Sequence, residues 1–396
     1  MESKLKILML IEENPFVQSN APSNRFLTLA QGLAEMGLNN DLLFINGYRP
    51  KNEKVLFKAS GIYNSINYKY LFYLDFSNFI TRNVIRRLLP RKIVVNRISR
   101  IIIDGKYDYV WFVTSEKVIK IGLELFKKKL NTKYIHERSE FSWIGFFGKR
   151  NHQNYLTRFL PNIDVFAIMT TTLINYYKNY TGEKTKIVHL PMTVDFSRFD
   201  GVAVNSDLNK QYIAYCGTMN IKKDGVDILI NSFIKIMDDF PELYLYIAGQ
   251  LLPKDDYVHL KNIVIKNKAQ DRILFLGIIS KEEMPGFLSN ALVLAMARPQ
   301  SKQAEGGFPT KLGEYLATGK PVCVTNVGEI GNYLKDNESV FMAEPDSVNS
   351  FADALKRALT DKNAVEIGHN GRNVAFEKFN KDIQKNILYN FLLQNR

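Results

Sequence analysis

A regular alternation of short apolar runs with amphipathic runs constrains the fold of this chain more than any other feature. The apolar runs of the first half are KILMLI, DLLFI, YDYVWFVT, TKYIH, DVFAIM and KIVHLP, and those of the second half are QYIAYCG, LYLYIAG, RILFLG, ALVLAMA and PVCVT. In the first amphipathic run, Phe26, Leu29, Ala30, Leu33 and Ala34 recur at helical spacing. Continuously apolar strands that alternate with helices are typical of parallel sheets covered on both faces. The pattern therefore predicts a doubly wound α/β fold.

The alternation stops once, at the polar segment 195–210, which we interpret as a linker. With 396 residues, the chain is long enough for a full core on each side of this segment. We predict two Rossmann-like domains, residues 1–198 and 208–372, followed by an amphipathic helical segment, residues 373–396. Ligands of doubly wound sheets bind at the carboxyl ends of the strands, so a central cleft that both domains face is the expected site.

The composition is typical of a soluble globular protein, with 46% hydrophobic and 23% charged residues. No apolar run approaches the length of a membrane span. The N-terminal KILMLI is too short for a signal peptide and runs directly into two glutamates. We therefore expect a cytoplasmic protein. Cys216 and Cys323 both lie in strand-like surroundings, and we expect buried free thiols rather than a disulfide or a metal pair.

The net charge of +13 is concentrated in one segment. Between Arg82 and Arg100 the chain has seven basic residues, no acidic residue, and aliphatic residues between them. A solvated face and a surface that contacts anionic lipid both fit this composition. The segment has no aromatic residue to stack on single-stranded nucleic acid, so nucleic acid is not an expected partner.

The most specific motif is EGGFPTKLGEYLATGKPVCVT, residues 305–325. Pro309 suits the first turn of a helix, and Gly319 suits the left-handed position just past a helix end. A helix is therefore predicted from Pro309 to Thr318. Gly306 and Gly307 would bring a loop without side-chain bulk to its N-terminus, where backbone amides favour a phosphate.

Glu314 lies about one turn inside this helix, where a ribose or sugar hydroxyl beyond the phosphates needs an acceptor. An ordinary helix-capping loop is the alternative interpretation of the motif. Three other strand ends of the second half are also marked by glycine: Gly217, Gly249 and Gly277. Lys222 and Lys223 follow the first of these in a turn before a helix that should begin near Gly225, and lysine acts on phosphate as a point charge. Together these loops predict a nucleotide site.

These segments resemble the retaining, nucleotide-sugar-dependent glycosyltransferases of family 4, which have the GT-B fold. The segments that carry the resemblance are IVHLPMTVDFSRF, YCGTMNIKKDGVDIL, LYIAG, ILFLGIISKEEMPGFLSNA and GGFPTKLGEYLATGKPV. The resemblance covers nearly the whole chain. It implies a C-terminal domain that binds a UDP-, GDP- or similarly activated sugar and an N-terminal domain that binds the acceptor. It also implies a last helix that crosses back to the first domain.

For the donor, the resemblance implies that Glu314 binds the ribose and that Lys223 meets the diphosphate. The family's arginine after the first glycine is replaced by Thr218, so Lys222 or Lys311 would have to compensate. The family's first glutamate falls on Gly306, because Glu305 leaves eight residues before Glu314 instead of seven. Either Glu305 does this work through a bulged loop, which we favour slightly, or backbone groups hold the donor sugar. Those backbone groups belong to Gly307, Phe308, Pro309 and Thr310.

In the first domain, the resemblance implies a role for His136 near the reacting anomeric carbon. A buried structural histidine is the alternative interpretation of a lone histidine after a strand. Glu137 and Glu140 are candidates for an acid–base role, although a salt bridge with Arg138 is the simpler interpretation. The Gly-Gly of the family's first β–α loop is missing, and Arg25 is expected to face the acceptor side.

The implied reaction moves a sugar to an acceptor hydroxyl, in the assembly of a surface polysaccharide or a glycolipid. The chain has no Asp-x-Asp triplet, so we expect no metal and no other cofactor. Lysine and helix amides would instead meet the charge of the leaving diphosphate. Two alternatives remain: a catalytically weak nucleotide-sugar-binding subunit of a glycosylation complex, and a sugar-nucleotide epimerase of the same architecture.

Overall fold

A computed structural model describes residues 5–17, 21–46, 58–73, 90–143, 149–202, 211–251 and 253–396. The chain forms two compact units. The first contains Met1–Pro191 and Gln384–Arg396, and the second contains Met192–Ile383. The first unit thus ends before the segment that we interpreted as a linker, and the second extends beyond the boundary predicted at residue 372.

The first unit contains an eight-stranded sheet in the order β3-β4-β2-β1-β5-β6-β7-β8. Its strands are β1 (Lys6–Ile11), β2 (Asn39–Phe44), β3 (Ser60–Tyr63), β4 (Ile66–Tyr70), β5 (Tyr109–Phe112), β6 (Lys133–Arg138), β7 (Val165–Ile168) and β8 (Lys186–His189). The helices between them are α1 (Ala21–Glu35), α2 (Arg91–Gly105), α3 (Glu116–Phe126), α4 (Lys149–Asn154) and α5 (Thr171–Tyr177). All neighbouring strands are parallel except β3 and β4, which pair antiparallel.

The β3–β4 hairpin was not predicted from the sequence. Its connection is short, with Asn64 and Ser65 at φ values of 47° and 64°, the combination of a tight hairpin turn. In β4, buried and exposed residues alternate, unlike the continuously apolar strands inside the sheet. The apolar-run criterion therefore finds the interior strands and misses this edge.

The second unit contains a six-stranded parallel sheet in the order β11-β10-β9-β12-β13-β14. Its strands are β9 (Gln211–Cys216), β10 (Leu243–Ala248), β11 (Ile273–Gly277), β12 (Val293–Met296), β13 (Val322–Thr325) and β14 (Phe341–Ala343). Its helices up to residue 379 are α6 (Ile221–Asp224), α7 (Val226–Ile236), α8 (Lys254–Lys266), α9 (Met284–Ser289), α10 (Lys302–Gly306), α11 (Thr310–Ala317), α12 (Ile330–Tyr333), α13 (Val348–Thr360) and α14 (Ala364–Phe379). Both units thus have the predicted doubly wound arrangement.

The C-terminal segment forms two helices where one was predicted. Helix α14 ends at Phe379, Asn380 adopts an extended conformation, and α15 spans Lys381–Gln394. The side chain of Asn380 accepts a hydrogen bond from the Asp382 N–H at 2.9 Å and so starts the new helix. Leu388 and Leu392 of α15 are fully buried in the core of the first unit, as expected for a last helix that crosses back.

The basic segment 82–100 is described only from residue 90, so Arg82, Arg86 and Arg87 lie outside the described residues. Helix α2 buries one apolar face in the first unit. Its opposite face exposes Lys92, Ile93, Arg97, Arg100 and Ile103. The two isoleucines on this face are 49% and 59% exposed. Within the described ranges, no helix combines the length and the apolar character that a membrane span requires.

Candidate functional site

Glycines form the carboxyl edge of the second sheet at three neighbouring strands. Gly217 follows β9, Gly249 follows β10, and Gly277 ends β11. The Gly217 N–H donates to the Ala248 carbonyl at 2.9 Å, and the Gly249 N–H donates to the Gly277 carbonyl at 2.6 Å. Gly249 has a φ of +126°, and a Cβ atom there would lie 1.9 Å from the Gly217 carbonyl oxygen. A larger residue does not fit, so backbone is exposed at this point of the edge.

The motif of residues 305–325 contains two short helices, where we predicted a glycine loop and one helix. Ser301 caps α10 by accepting a hydrogen bond from the Ala304 N–H at 3.1 Å, a capping signal that the sequence analysis missed. Gly306 therefore ends a helix. Pro309 is the N-cap of α11, one residue before its first helical residue, and Gly319 has the predicted left-handed φ, +73°.

Phe308, one of the candidate donor-site residues, belongs to the core of the second unit. Its ring is 6% exposed and lies 5.6 Å from the ring of Tyr333 and 5.2 Å from that of Phe379. Gly307 is also buried, and Thr310 is half-buried. At Phe308 the backbone is thus the part that is left to meet a ligand.

Lys311, in the first turn of α11, lies directly over the end of β9. Its Nζ lies 2.8 Å from Oδ1 of Asp224 and donates to the Tyr215 hydroxyl at 3.0 Å. The ammonium group also lies 4.7 Å from the centroid of the Tyr215 ring, a cation–π contact. A Cβ atom on Gly217 would lie 2.1 Å from Nζ, so the glycine is needed for this close approach.

Thr218, which replaces the family's arginine, is connected to the same cluster. Its hydroxyl donates to Oδ2 of Asp224 at 2.5 Å. Lys222 and Lys223 lie in the four-residue helix α6, where we predicted a turn, and both are exposed. Asn220 caps this helix by accepting from the Lys223 N–H at 2.9 Å. The structure therefore brings Lys311, rather than Lys223, into contact with the glycine edge.

Glu314, the candidate ribose acceptor, forms an ion pair with Arg198 through Oε1. Both side chains are about one third exposed, at 34% and 33%. Arg198 ends a short 3₁₀ turn, Phe196–Arg198, inside the segment that we interpreted as a linker. The role of Arg198 as the partner of Glu314 has no signal in the sequence, because nothing in a polar segment indicates a partner more than a hundred residues away.

Glu305, the candidate for the family's first glutamate, lies in α10. Its Oε2 lies 2.7 Å from Nζ of Lys302, and Oε1 accepts from the Gln300 side chain at 3.4 Å. Lys302 begins the same helix, Gln300 lies in the loop before it, and both partners are exposed. The carboxylate thus has an open, polar environment, and its role toward a donor sugar stays a prediction.

Cys216, at the end of β9, lies where the charges of Lys311 and Glu314 meet. Burial raises the pKa of its thiol to about 11, with Lys311 lowering it and Glu314 raising it. The Cys216 N–H donates to the Tyr315 hydroxyl at 2.7 Å, so α11 lies beside the end of β9. Cys216 and Cys323 are free thiols, but only Cys323 is fully buried, whereas Cys216 is half-buried.

In the first unit, Arg25 is buried and connects two strand ends. It forms an ion pair with Glu137, the next-to-last residue of β6, and it donates to the carbonyls of Pro191 and Leu190, after β8, at 2.5 and 2.6 Å. The salt bridge with Arg138 that we kept as the simpler interpretation for Glu137 and Glu140 stays a prediction. The Arg138 side chain donates to the Glu140 carbonyl at 3.1 Å.

His136 is fully buried within β6. Its Nδ1 lies 2.8 Å from the Phe112 carbonyl oxygen, and its Nε2 lies 3.0 Å from the Tyr155 hydroxyl. Burial lowers the pKa of His136 to about 3, so the ring is neutral. These contacts fit the buried structural histidine that we kept as the alternative. The catalytic role that the resemblance implies stays a prediction and requires Nε2 to leave Tyr155.

In the part of the chain that the structure describes, no group of three or more His, Cys, Asp or Glu side chains is placed to hold a metal ion. The site of the second unit combines backbone, two lysine-bearing segments and the carboxylates of Asp224, Glu305 and Glu314 near the carboxyl edge of a parallel sheet.

Known structures place this architecture in one class. Sucrose-phosphate synthase from Thermosynechococcus elongatus is 17% identical, with a TM-score of 0.75, and the match covers 99% of this chain and 100% of that one. Anabaena HepE, solved in complex with UDP and glucose, is 14% identical, with a TM-score of 0.73 and coverage of 98% and 100%. The fold is GT-B, as the resemblance implied.

Sequence comparison adds the family. The family described as "Glycosyl transferases group 1" matches residues 210–361. The GDP-mannose-dependent alpha-(1-6)-phosphatidylinositol monomannoside mannosyltransferase of Mycolicibacterium smegmatis is 21% identical over 313 residues, which are 76% of this chain and 80% of that protein. Together these matches support a glycosyltransferase of the group 1, family 4 type, as the resemblance implied.

Proposed function

We propose that this chain transfers a sugar from a nucleoside diphosphate sugar to an acceptor hydroxyl with retention of the anomeric configuration. The observation that carries the proposal is the placement of Lys311 and Glu314. They lie three residues apart on α11, and hence on one face of the helix. The helix lies beside the glycine end of β9, because the Cys216 N–H donates to the Tyr315 hydroxyl at 2.7 Å. A cation, bare backbone and a carboxylate in this order match the diphosphate and the ribose of such a donor.

The glycine edge lets the diphosphate approach the backbone, since Gly217 and Gly249 have no side chain that would block it. Lys311 supplies positive charge there, and the exposed Lys222 and Lys223 are close in sequence to the same strand end. These lysines would stabilise the charge that develops on the leaving diphosphate. Glu314 would accept a hydrogen bond from a ribose hydroxyl.

The names of the similar proteins support a nucleotide-sugar donor. The mycobacterial relative depends on GDP-mannose, and HepE has been solved with UDP and glucose and with UDP-glucose. The two differ in both base and sugar. The donor of this chain is therefore proposed by class, as a nucleoside diphosphate sugar.

On the acceptor side, we propose that the first unit, with Arg25, Glu137, Arg138 and His136, supports binding of the acceptor. We further propose a cytoplasmic enzyme of polysaccharide or glycolipid assembly that attaches reversibly to an anionic membrane surface. The specific observation in favour of attachment is the exposed face of α2, which combines basic residues with exposed isoleucines.

We also propose that the reaction needs no metal, because the chain has no Asp-x-Asp triplet and Lys311 lies beside the glycine edge, where its charge would meet the diphosphate. Activity should persist in EDTA. A complete loss in EDTA that manganese restores would contradict this part of the proposal.

A two-stage experiment tests the function. Thermal shift with UDP, GDP, UDP-glucose and GDP-mannose identifies the nucleotide, because a ligand of the folded state raises the unfolding temperature. The purified chain is then incubated with the donor and simple glycosides or polyprenyl phosphates, and NMR reports the anomeric configuration of the product. Binding without turnover would favour the catalytically weak subunit. Conversion of the donor sugar without acceptor would favour the epimerase, and an inverted product would refute retention.

A further inference from the structure

Asp224 is a buried carboxylate at the candidate site to which the proposed function assigns no role. Asp224 ends α6 and is 5% exposed. Both of its oxygens are engaged: Oδ1 lies 2.8 Å from Nζ of Lys311, and Oδ2 accepts from the Thr218 hydroxyl at 2.5 Å. A buried charge is costly unless it is paired and hydrogen-bonded, and Asp224 is both.

Lys311 is held from two sides and still reaches solvent. An ammonium group has three N–H donors, and the Asp224 carboxylate and the Tyr215 hydroxyl accept two of them. Its side chain remains 22% exposed. Because Nζ lies over Gly217, a third donor is left for an anion bound at the glycine edge. A lysine already fixed in this way loses less side-chain entropy when it binds a ligand.

Thr218 occupies the position of the family's arginine, yet its hydroxyl is directed to Asp224. Where the family has a cationic arginine, the loop after β9 thus has a threonine whose hydroxyl group holds the Asp224 carboxylate in place. The backbone of the same loop also takes part, because the Tyr215 hydroxyl donates to the Thr218 carbonyl at 2.8 Å.

We propose that Lys311 is the diphosphate-binding cation in place of the missing arginine, and that Asp224, anchored by Thr218, is its positioning residue. This inference rests on the proposed function, since it names the groups that recognise the diphosphate of the donor. The positive charge that binds the diphosphate then lies in the first turn of α11 and not in the loop after β9. Thr218 and Asp224 act indirectly, by holding the Lys311 side chain.

Calorimetric titration of the full chain with UDP, uridine, GDP and guanosine tests the inference. The measured quantity is the ratio of diphosphate affinity to nucleoside affinity, for whichever base the wild type binds. We expect Lys311→Met to lower diphosphate affinity about tenfold or more and to change nucleoside affinity less than about twofold. Asp224→Asn should lower the same ratio several-fold, and Thr218→Val, which removes only the anchoring hydroxyl, should lower it less.

A rescue variant shows whether Lys311 acts through its charge at the diphosphate or only through its structural ion pair with Asp224. In the Lys311→Met background, Thr218→Arg places the family's cation back at the glycine edge, and we expect it to restore part of the ratio. The matched controls are Lys356→Met and Asp239→Asn, which remove an exposed lysine–aspartate pair of the same unit, 2.6 Å apart, and should leave the ratio unchanged.

The outcomes distinguish this inference from the proposed function. A wild-type chain that binds no nucleoside diphosphate contradicts both. A wild-type chain that binds one while Lys311→Met keeps its ratio overturns the role of Lys311 alone. An unchanged or higher ratio in both Asp224→Asn and Thr218→Val overturns the positioning role of Asp224. If Asp224→Asn does not fold, Thr218→Val decides.

Discussion

Several charged side chains at the candidate site form ion pairs with other side chains of the protein, so a ligand would bind to groups that already have a partner. Glu314 is paired with Arg198, Lys311 with Asp224, and Glu305 with Lys302. A ligand therefore binds to groups whose orientation is already restricted. A variant that removes one partner alters the other as well.

The first prediction concerns Glu314. Its Oε1 is engaged by Arg198, which leaves Oε2 for a ribose hydroxyl. Losing a hydrogen bond to a charged group costs about 1.5–3 kcal/mol. We expect Glu314→Ala to weaken nucleotide binding at least about tenfold, measured by calorimetry, with the exposed Glu366→Ala as control. Wild-type affinity in Glu314→Ala would remove Glu314 from the site.

The second prediction concerns His136. Its pKa of about 3 in the folded protein lies below the reference value of 6.5, so the unfolded chain takes up the proton first. The stability contribution is complete above about pH 6.5 and is lost as the pH falls toward 3. At pH 5 the loss is about 2 kcal/mol. We expect His136→Gln to reduce this dependence.

Urea unfolding at pH 7 and pH 5, followed by tryptophan fluorescence, measures the effect, because Trp111 and Trp143 both lie in the first unit. His369→Gln, at an exposed histidine of the second unit, should keep the wild-type dependence. Equal pH dependence in wild type and His136→Gln would show that His136 titrates normally.

For single residues, the sequence predicted local backbone conformations better than it predicted side-chain contacts. Pro309, Gly319 and the glycines at the strand ends have local conformational reasons that short segments reveal. The partners of Glu314 and Glu137 come from distant segments, Arg198 and Arg25, and no local pattern indicates them. The same limit hid the role of Asp224.

Secondary structure was predictable where burial makes a strand continuously apolar. The interior strands of both sheets, except β4, lie where the apolar runs placed them. The β3–β4 hairpin, the three-residue β14, α6 and α10 were missed, because each is short; the hairpin and the two helices depend on turn or capping chemistry rather than on periodicity. The break at Asn380 was missed for the same reason.

The third prediction concerns the exposed face of α2. Lys128, in the loop after α3, donates to the Asn96 side chain at 3.0 Å, so the exposed Lys127, Lys128 and Lys129 adjoin this face. The cationic surface is therefore wider than the segment 82–100. Each basic residue near an anionic surface contributes about 1 kcal/mol.

We expect the triple variant of Lys92, Arg97 and Arg100 to glutamine to lower partitioning onto anionic vesicles by up to about a hundredfold. Co-sedimentation at low and high salt measures it, because salt screens the attraction. The triple variant of Lys254, Lys261 and Lys266 on α8 is the charge-matched control. Equal recovery of wild type on neutral and anionic vesicles would support the solvated face.

For the whole molecule, the number of domains and their type followed from the sequence, and their boundaries did not. A domain boundary lies where the chain stops packing against one core and starts packing against the other. The polar segment 195–210 suggested a boundary after residue 195, whereas the first unit ends at Pro191. The return of the last helix, α15, was implied by the family resemblance. Its register on the first unit is set by contacts such as that of the Tyr109 hydroxyl, which donates to the Asn395 carbonyl at 2.7 Å.

The fourth prediction uses two adjacent leucines of α15. Leu392 is fully buried in the first unit, whereas Leu393 is 42% exposed. We expect Leu392→Ala to destabilise the first unit by about 2–4 kcal/mol and Leu393→Ala by less than about 1 kcal/mol. Tryptophan fluorescence during urea unfolding reports this unit. Equal small effects of both variants would show that α15 contributes little to its stability.

The division of the chain also has a consequence for its synthesis on the ribosome. The first unit is made first, but Leu388 and Leu392 of its core are translated after the whole of the second unit. The second unit can therefore complete its fold as soon as it has emerged. The core of the first unit stays partly uncovered beside α1 and β5 until α15 has emerged, and in that interval a nascent chain of this kind most needs protection by a chaperone.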